Sequence, residues 1–330
     1  MKIFITGVTG YVGRNVARSL AKHHELVGLT RASKKPLDLA SLGVEIIQGD
    51  LVADDFTDRL IGCDALIHTA ADTDHKNISQ YQYSTNVTGT EALLKAAKTA
   101  GVKRFIHLST ESVLLDGKAL CKATEQTPTP SKPVGQYSST KLLAENLVLQ
   151  AQSETFDVIV LRPRFVWGRD DTTAMPQILR AVENRQFAWI DGGDYLSSTI
   201  HIDNLCHGIE CALTKGQPGH VYFLSDGLDR SFRETLTALI DAHGYPVPEK
   251  NVPRALLYFI ARIDNVRRKL LPKSQPLPIT MQEYATSAVE VTVQIEKAIA
   301  ELGYTPIMSF QDGVQRIKAD ASAKTSPIEP

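Results

Sequence analysis

The sequence predicts an α/β protein: a doubly wound parallel sheet with a smaller, mostly helical C-terminal lobe. Three observations carry this. Short apolar segments alternate with helical patterns through the first half of the chain. Glycine recurs at every third position, Gly7, Gly10 and Gly13, where the first apolar segment meets the first helical one. After Leu161 the alternation loosens, and from about residue 226 the pattern is helical with proline breaks.

In chain order, strands are expected at Lys2–Thr6, Glu25–Thr30, Val44–Gly49, Ala65–Ala70, Arg104–Ser109 and Asp157–Leu161. Helical patterns fill the gaps at Arg14–Lys22, Thr57–Ile61, Tyr83–Thr99 and Tyr137–Gln150. Strands separated by helices read as crossover units of a parallel sheet covered on both faces. Then follow a helix at Met175–Arg185, a short strand at Phe187–Ile190, a Gly192-Gly193 turn, a helix from Asp203 to about Thr214, and a strand at Val221–Leu224. The expected division is a main domain of residues 1–168 with returning segments at about 186–225, and a lobe of 169–185 and 226–317. Glu125–Lys132, with Pro128 and Pro130, reads as a surface loop, and 318–330 as a disordered tail.

An apolar fraction of 43% and a charged fraction of 22% suit a globular chain with a sizeable core. A net charge of −1 offers nucleic acid no electrostatic attraction. The four cysteines, Cys63, Cys121, Cys206 and Cys211, lack metal-site spacing and are too few for a disulfide framework, so no metal is expected. Cys206 and Cys211 flank His207, but five residues of helix put the two thiols on different faces. The first strand starts at residue 2, leaving no room for a signal peptide, and no apolar run nears the roughly 18 residues of a membrane span. The expected location is the cytoplasm.

Glycine accepts the positive φ of a tight turn and lets a pyrophosphate approach the backbone; the helix behind it offers free N–H groups to the phosphates. Between a strand and a helix, the loop Gly7, Thr9, Gly10, Tyr11, Val12, Gly13 therefore reads as the phosphate cradle of a Rossmann dinucleotide fold. The second strand of such folds ends in the residue that reads the adenosine ribose. Here that residue is Arg31, followed by Ser33, Lys34 and Lys35, with no acid before Asp38. A guanidinium matches a 2′-phosphate, so NADP(H) is the preferred cofactor and NAD(H) the second candidate. Asp50 and Leu51, closing the third strand, are placed to meet the adenine.

Tyr137 and Lys141 lie one helical turn apart on one face. An ammonium close to a phenol favours the phenolate and lowers its pKa from about 10. The pair opens a helix after a strand ending in Ser109-Thr110, where a hydroxyl would contact a substrate oxygen. Ser109, Thr110 and Ser112 compete for that role.

With these motifs the chain resembles the extended short-chain dehydrogenases/reductases, in the branch of nucleotide-sugar epimerases, dihydroflavonol-type reductases and 3β-hydroxysteroid dehydrogenases. The likeness extends to His68-Thr69-Ala70-Ala71, Asn86-Val87-Thr88-Gly89-Thr90, Leu161-Arg162-Pro163, Val166-Trp167-Gly168, His201-Ile202-Asp203-Asn204-Leu205 and Leu302-Gly303-Tyr304-Thr305-Pro306. The resemblance places the catalytic hydroxyl on Thr110, where serine is usual. It makes Tyr137 the acid/base and Lys141 its partner, counts both among the cofactor-binding residues with Lys141 holding the nicotinamide ribose, and has Asn86 support Lys141 through water. It sets Thr69, Ala70 and Ala71 at the cofactor, with Pro163 to Val166 along the nicotinamide. It also implies dimerisation through the helices holding Asn86 and Tyr137.

Nucleotide-sugar members usually carry a diphosphate-gripping arginine four residues before the histidine corresponding to His201; Ser197 stands there instead. The Thr-Asp-Glu run of dehydratases is only half represented by Ser109-Thr110-Glu111. The expectation is therefore interconversion of a ketone and a secondary alcohol on an apolar small molecule, sterol-like, a β-keto acid or another lipid-derived ketone. The alternatives are a nucleotide-sugar epimerase/dehydratase and a non-catalytic NADP-binding regulator. The segment 254–273 mixes an apolar stripe with Arg262, Arg267, Arg268 and Lys269, so a lid, a peripheral membrane contact and plain packing are all compatible with it.

Overall fold

The computed structural model describes residues 1–32, 37–271 and 274–325, so Ser33, Lys34 and Lys35 lie outside the described residues. Strands form where the β-rich segments fall: Lys2–Thr6 (β1), Glu25–Thr30 (β2), Glu45–Gln48 (β3), Ala65–His68 (β4) and Arg104–Leu108 (β5). Leu120–Ala123 (β6) joins a second sheet, and Asp157–Pro163 (β7) returns to the first. The main sheet has seven strands in the order His220–Leu224, β7, β5, β4, β1, β2, β3. Every pairing is parallel, with Thr6 opposite His68 and Leu108 opposite Leu161. Strand order reverses between β1 and β4, the crevice where such sheets hold ligands.

Successive side chains of β1 serve opposite faces. Ile3 and Ile5 pack with the helices Tyr11–Leu20 and Ile202–Thr214, whereas Phe4 packs with Leu66, Phe105 and the helix Gly89–Thr99. Cys206 is buried on its helix and Cys211 half-buried. Three segments tied through one carboxylate close the sheet to the lobe. Asp226 accepts from Trp167 Nε1 at 2.9 Å, from the His201 backbone at 2.7 Å and from Asn204 Nδ2 at 2.7 Å. Asn204 also accepts from Ile307 N and Met308 N, each at 2.7 Å.

Two expectations need correction. The tail is helical through Thr325 rather than disordered from residue 318: Phe310, Val314 and Ile317 form a buried stripe, and Lys318 pairs with Asp241 at 2.8 Å. Lys318, Ala319, Asp320 and Ser322 are exposed on that helix; residues 326–330 lie outside the described ones. The second half is also not simply helical. Arg230–Ser231, Leu196–Ser197, Val291–Val293 and β6 make a four-stranded sheet that no local pattern announces, because its strands are short and distant in sequence.

Candidate active site

The glycine loop is built as steric demand requires. Gly7 has φ +72°, and a Cβ on it would sit 2.9 Å from Ala70 Cα. A Cβ on Gly13 would fall 2.3 Å from the Gly7 carbonyl oxygen, so the helix seats against the loop only without a side chain there. Gly10 N donates to Gly7 O at 2.9 Å and precedes Tyr11–Leu20 with no side-chain cap, leaving the first-turn N–H groups for a ligand. Thr69 Oγ1 donates to Thr6 O at 2.7 Å, and Ala70 N to Thr6 Oγ1 at 3.1 Å, locking the β4 end against the loop. Thr9 and Thr30 hydroxyls meet at 3.1 Å. These residues fit a dinucleotide.

Other loop positions divide between ligand side and core. Val12 and Ala71 are half-buried, whereas Tyr11 is buried in the core, so only its backbone faces the cradle. Asp50 accepts from Val52 N at 2.8 Å and shapes the turn after β3, while buried Leu51 backs Gly89. Arg31 is exposed, its guanidinium carbon 5.2 Å from the Tyr81 ring centre. Asp38, the first acid after β2, is taken by Arg14 and Arg18, each bonded at 2.9 Å, which hold its carboxyl below the ordinary range. Pro163 ends β7 in a buried position, and Val166 pairs with Ile200.

The helix Gly135–Gln150 carries Tyr137 and Lys141 past the ends of β4 and β5. Gly135, at φ +73°, lies against Gln282, whose amide bonds the Ser138 hydroxyl from Nε2 at 2.8 Å and thereby fixes the first turn. Thr110 lies beside the Tyr137 phenol and favours its ionised form, and the Thr110 hydroxyl donates to Glu111 Oε2 at 2.8 Å. Ser109 is committed elsewhere, to Glu145 at 2.6 Å, which leaves Thr110 and Ser112 of the competing hydroxyls. Asn86 connects the parts: its Oδ1 accepts from Asp72 N at 2.8 Å and its Nδ2 donates to Thr140 Oγ1 at 3.1 Å. It sits in a single π turn, Ser84–Thr88, spliced between the helices Gln80–Tyr83 and Gly89–Thr99. Its described partners are Asp72 and Thr140; the water-mediated support of Lys141 is an expectation from family resemblance.

The electrostatics differ from the sequence expectation. Lys141 Nζ donates to Leu108 O at 2.7 Å and lies 3.5 Å from His107 Nε2, so its ammonium is not directed at the phenol. Burial pulls the Lys141 pKa down to about 8, partly offset by Glu145. Burial, then the Glu111 carboxylate, push the Tyr137 phenol above its ordinary value, with Thr110 opposing. The expected lowering by Lys141 is therefore absent from this geometry. His68, bonded by Thr6 and Thr90, is held down to about 3 by burial and by Lys141.

Tyr137, Lys141, Thr110 and Asn86 thus converge, and the Gly7–Ala70 and Asp72–Asn86 contacts join them to the glycine loop. His75 escaped the sequence reading, and the pairing of Glu111 with Arg164 was not foreseen. The His75 ring lies 4.6 Å from that of Tyr137, and burial takes its pKa down to about 4. Glu111 is paired with Arg164 at 3.2 Å, both buried. Arg164 also donates to Thr286 O at 2.7 Å and to Ser197 Oγ at 3.3 Å. The signal was present: a charge inside an apolar strand end must find a partner, but sequence does not say which.

The model of the NAD dependent epimerase/dehydratase family matches residues 3–224. The chain is 37% identical over 321 residues to the 4-hydroxy-2-methyl-3-oxo-4-farnesyl-3,4-dihydroquinoline-1-oxide ketoreductase of Stigmatella aurantiaca, covering 96% of each chain. It is 27% identical to the sterol-4-alpha-carboxylate 3-dehydrogenase, decarboxylating, of Dictyostelium discoideum, over 96% of this chain and 99% of the other. The crystal structure of gox2253 superposes with a TM-score of 0.80 at 27% identity, covering 98% of each chain.

Proposed function

The chain belongs to the NAD dependent epimerase/dehydratase family, and from that premise we propose that it is an NADP(H)-dependent reductase of an apolar ketone with Tyr137 as acid/base. That it is an NAD(P)-dependent oxidoreductase acting on a CH–OH or ketone group is common ground with relatives named as ketoreductase and dehydrogenase. The observation that carries the finer reading is the Tyr137 phenol beside the Thr110 hydroxyl at the end of β5, joined through Asn86 to the glycine loop.

Gly7, Gly10 and Gly13 with Thr69 and Ala70 would hold the pyrophosphate side, Asp50 and Leu51 the adenine, and Lys141, Pro163 and Val166 the nicotinamide end. The bound cofactor supplies or accepts a hydride. Tyr137 gives its proton to the carbonyl oxygen on reduction and takes it back on oxidation. Thr110 would hold the same oxygen once its hydroxyl proton, donated to Glu111 in this structure, turns to the substrate. An apolar substrate accords with a buried Arg164, whose Nη1 and Nη2 are taken by Glu111, Ser197 and Thr286, and with serine at 197: neither position offers a free guanidinium to clamp a diphosphate. That arrangement weighs against the nucleotide-sugar epimerase, and the intact Tyr137/Lys141 pair weighs against a non-catalytic regulator.

A panel of ketones tests the assignment: with NADPH, a β-keto acid or a ring ketone on a prenylated or sterol-like skeleton should be reduced, while UDP-glucose is neither epimerised nor bound. Turnover of the UDP-sugar without any ketone reduction overturns it. Cofactor choice has its own test. Arg31 carries no described ion pair and is offered to a 2′-phosphate, so Arg31→Ala should lower the NADPH/NADH ratio of kcat/KM by about 10- to 100-fold, the scale of a charge-assisted hydrogen bond. An unchanged ratio removes Arg31 from the argument.

A further inference from the structure

The helix Arg254–Leu270 is 17 residues long, about 25 Å at 1.5 Å per residue. Its buried face, Leu257, Ala261, Asp264 and Arg268, packs toward Ile279, Tyr284 and Ala285. The opposite face is apolar and open to solvent: Leu256 is 51% exposed, Phe259 64%, Ile263 43%, Val266 52% and Leu270 76%. The spacing of three and four residues makes this one continuous stripe, on the side where a surface helix ordinarily carries charge. Leu271, 62% exposed, extends it.

The charges around the stripe have one sign. Arg262 and Lys269 are exposed on one flank and Arg267 is half-buried on the other. The helix has a single acid, Asp264, which is buried and bonded to Arg267, Arg268 and Leu277 N. An apolar face framed by cations fits the interface of an anionic bilayer: acyl chains receive the stripe and headgroups the guanidinium and ammonium groups. No helix among the described residues is long and apolar enough to cross a membrane, so the geometry is that of a helix lying in the surface.

The helix also adjoins the candidate active site. Arg268 donates to Lys76 O, and Thr280 Oγ1 to His75 O at 3.3 Å, while the His75 ring faces Tyr137. Exposed Ile78 rides on that same loop. We infer that Arg254–Leu270 docks this protein on an anionic lipid bilayer, with the loop of His75 and Ile78 turned toward the lipid from which an apolar substrate would come.

Flotation of the full chain with vesicles tests this without any turnover, so the outcome is separate from the ketone assignment. The chain should co-float with phosphatidylglycerol/phosphatidylcholine vesicles at least about tenfold more than with phosphatidylcholine alone, and high salt should reduce binding. Phe259→Glu with Val266→Glu, and separately Arg262→Glu with Lys269→Glu, should each cut binding by about tenfold or more. Ile299→Glu, at an exposed apolar position elsewhere, should leave it unchanged. Equal binding to both vesicle types, no binding, or unaffected variants overturn the inference. So does a dimer in solution that Phe259→Glu splits, because the stripe is then a face between copies.

Discussion

Tyr137→Phe is expected to lower kcat/KM for ketone reduction by about 10²- to 10⁴-fold, the range of general acid catalysis, while NADPH affinity stays within about threefold, since the phenol oxygen is not among the groups proposed to hold the phosphates. Only that oxygen is deleted. The ring keeps its place against His75, and the helix start keeps its Ser138–Gln282 anchor, so folding is not in question. The pH dependence follows from the surroundings. Burial and Glu111 raise the phenol pKa, so Tyr137 stays protonated through neutral pH and is ready to donate. Reduction therefore loses its donor only on the alkaline side, whereas oxidation, which starts from a phenolate, is opposed by the Glu111 charge. A limb near pH 8 belongs to Lys141, which burial has brought down to about 8. Activity of the Phe variant within about threefold of the parent would remove Tyr137 from the chemistry.

The parallel sheet was legible because its signals are local. Alternation of strand and helix, and glycines that a Cβ would push into Gly7 O or Ala70, are written within a few residues of each other. The placement of Tyr137 and Lys141 on one turn is equally local. The unread features depend on distant partners. β6 meets Val291–Val293 across the chain, and Glu111 finds Arg164 from 53 residues away. The π turn at Ser84–Thr88 holds Asn86 against Asp72 and Thr140, and the residue types in it carry no signature that separates it from an ordinary helical turn. The Lys141 expectation failed for a related reason: helical spacing puts two side chains on one face but does not say where a long one ends, and the Leu108 carbonyl captured the ammonium. The tail was misjudged on composition, when three apolar positions at helical spacing were enough to seat it.

Glu145→Gln should destabilise the fold by about 3–5 kcal/mol, the cost of leaving a buried partner uncompensated. Glu145 and Arg162 are almost wholly enclosed: Arg162 Nε reaches Glu145 Oε2 at 3.0 Å, and Nη2 makes a second bond to Oε1. Arg162 Nη1 has no hydrogen-bond partner, so the guanidinium has little to fall back on when the carboxylate goes. Replacing both, with Glu145→Leu and Arg162→Met, removes the charge as well as the bond and should cost less than Glu145→Gln alone. Urea unfolding of the two variants separates the effects; a loss below about 1 kcal/mol for Glu145→Gln would mean that the cation is hydrated or relaxed, contrary to its burial. The same carboxylate accepts from Ser109, beside Thr110, and raises the Lys141 pKa. Its removal should therefore move the Lys141 limb of the pH–rate profile toward acid as well, a shift that loss of packing alone does not produce.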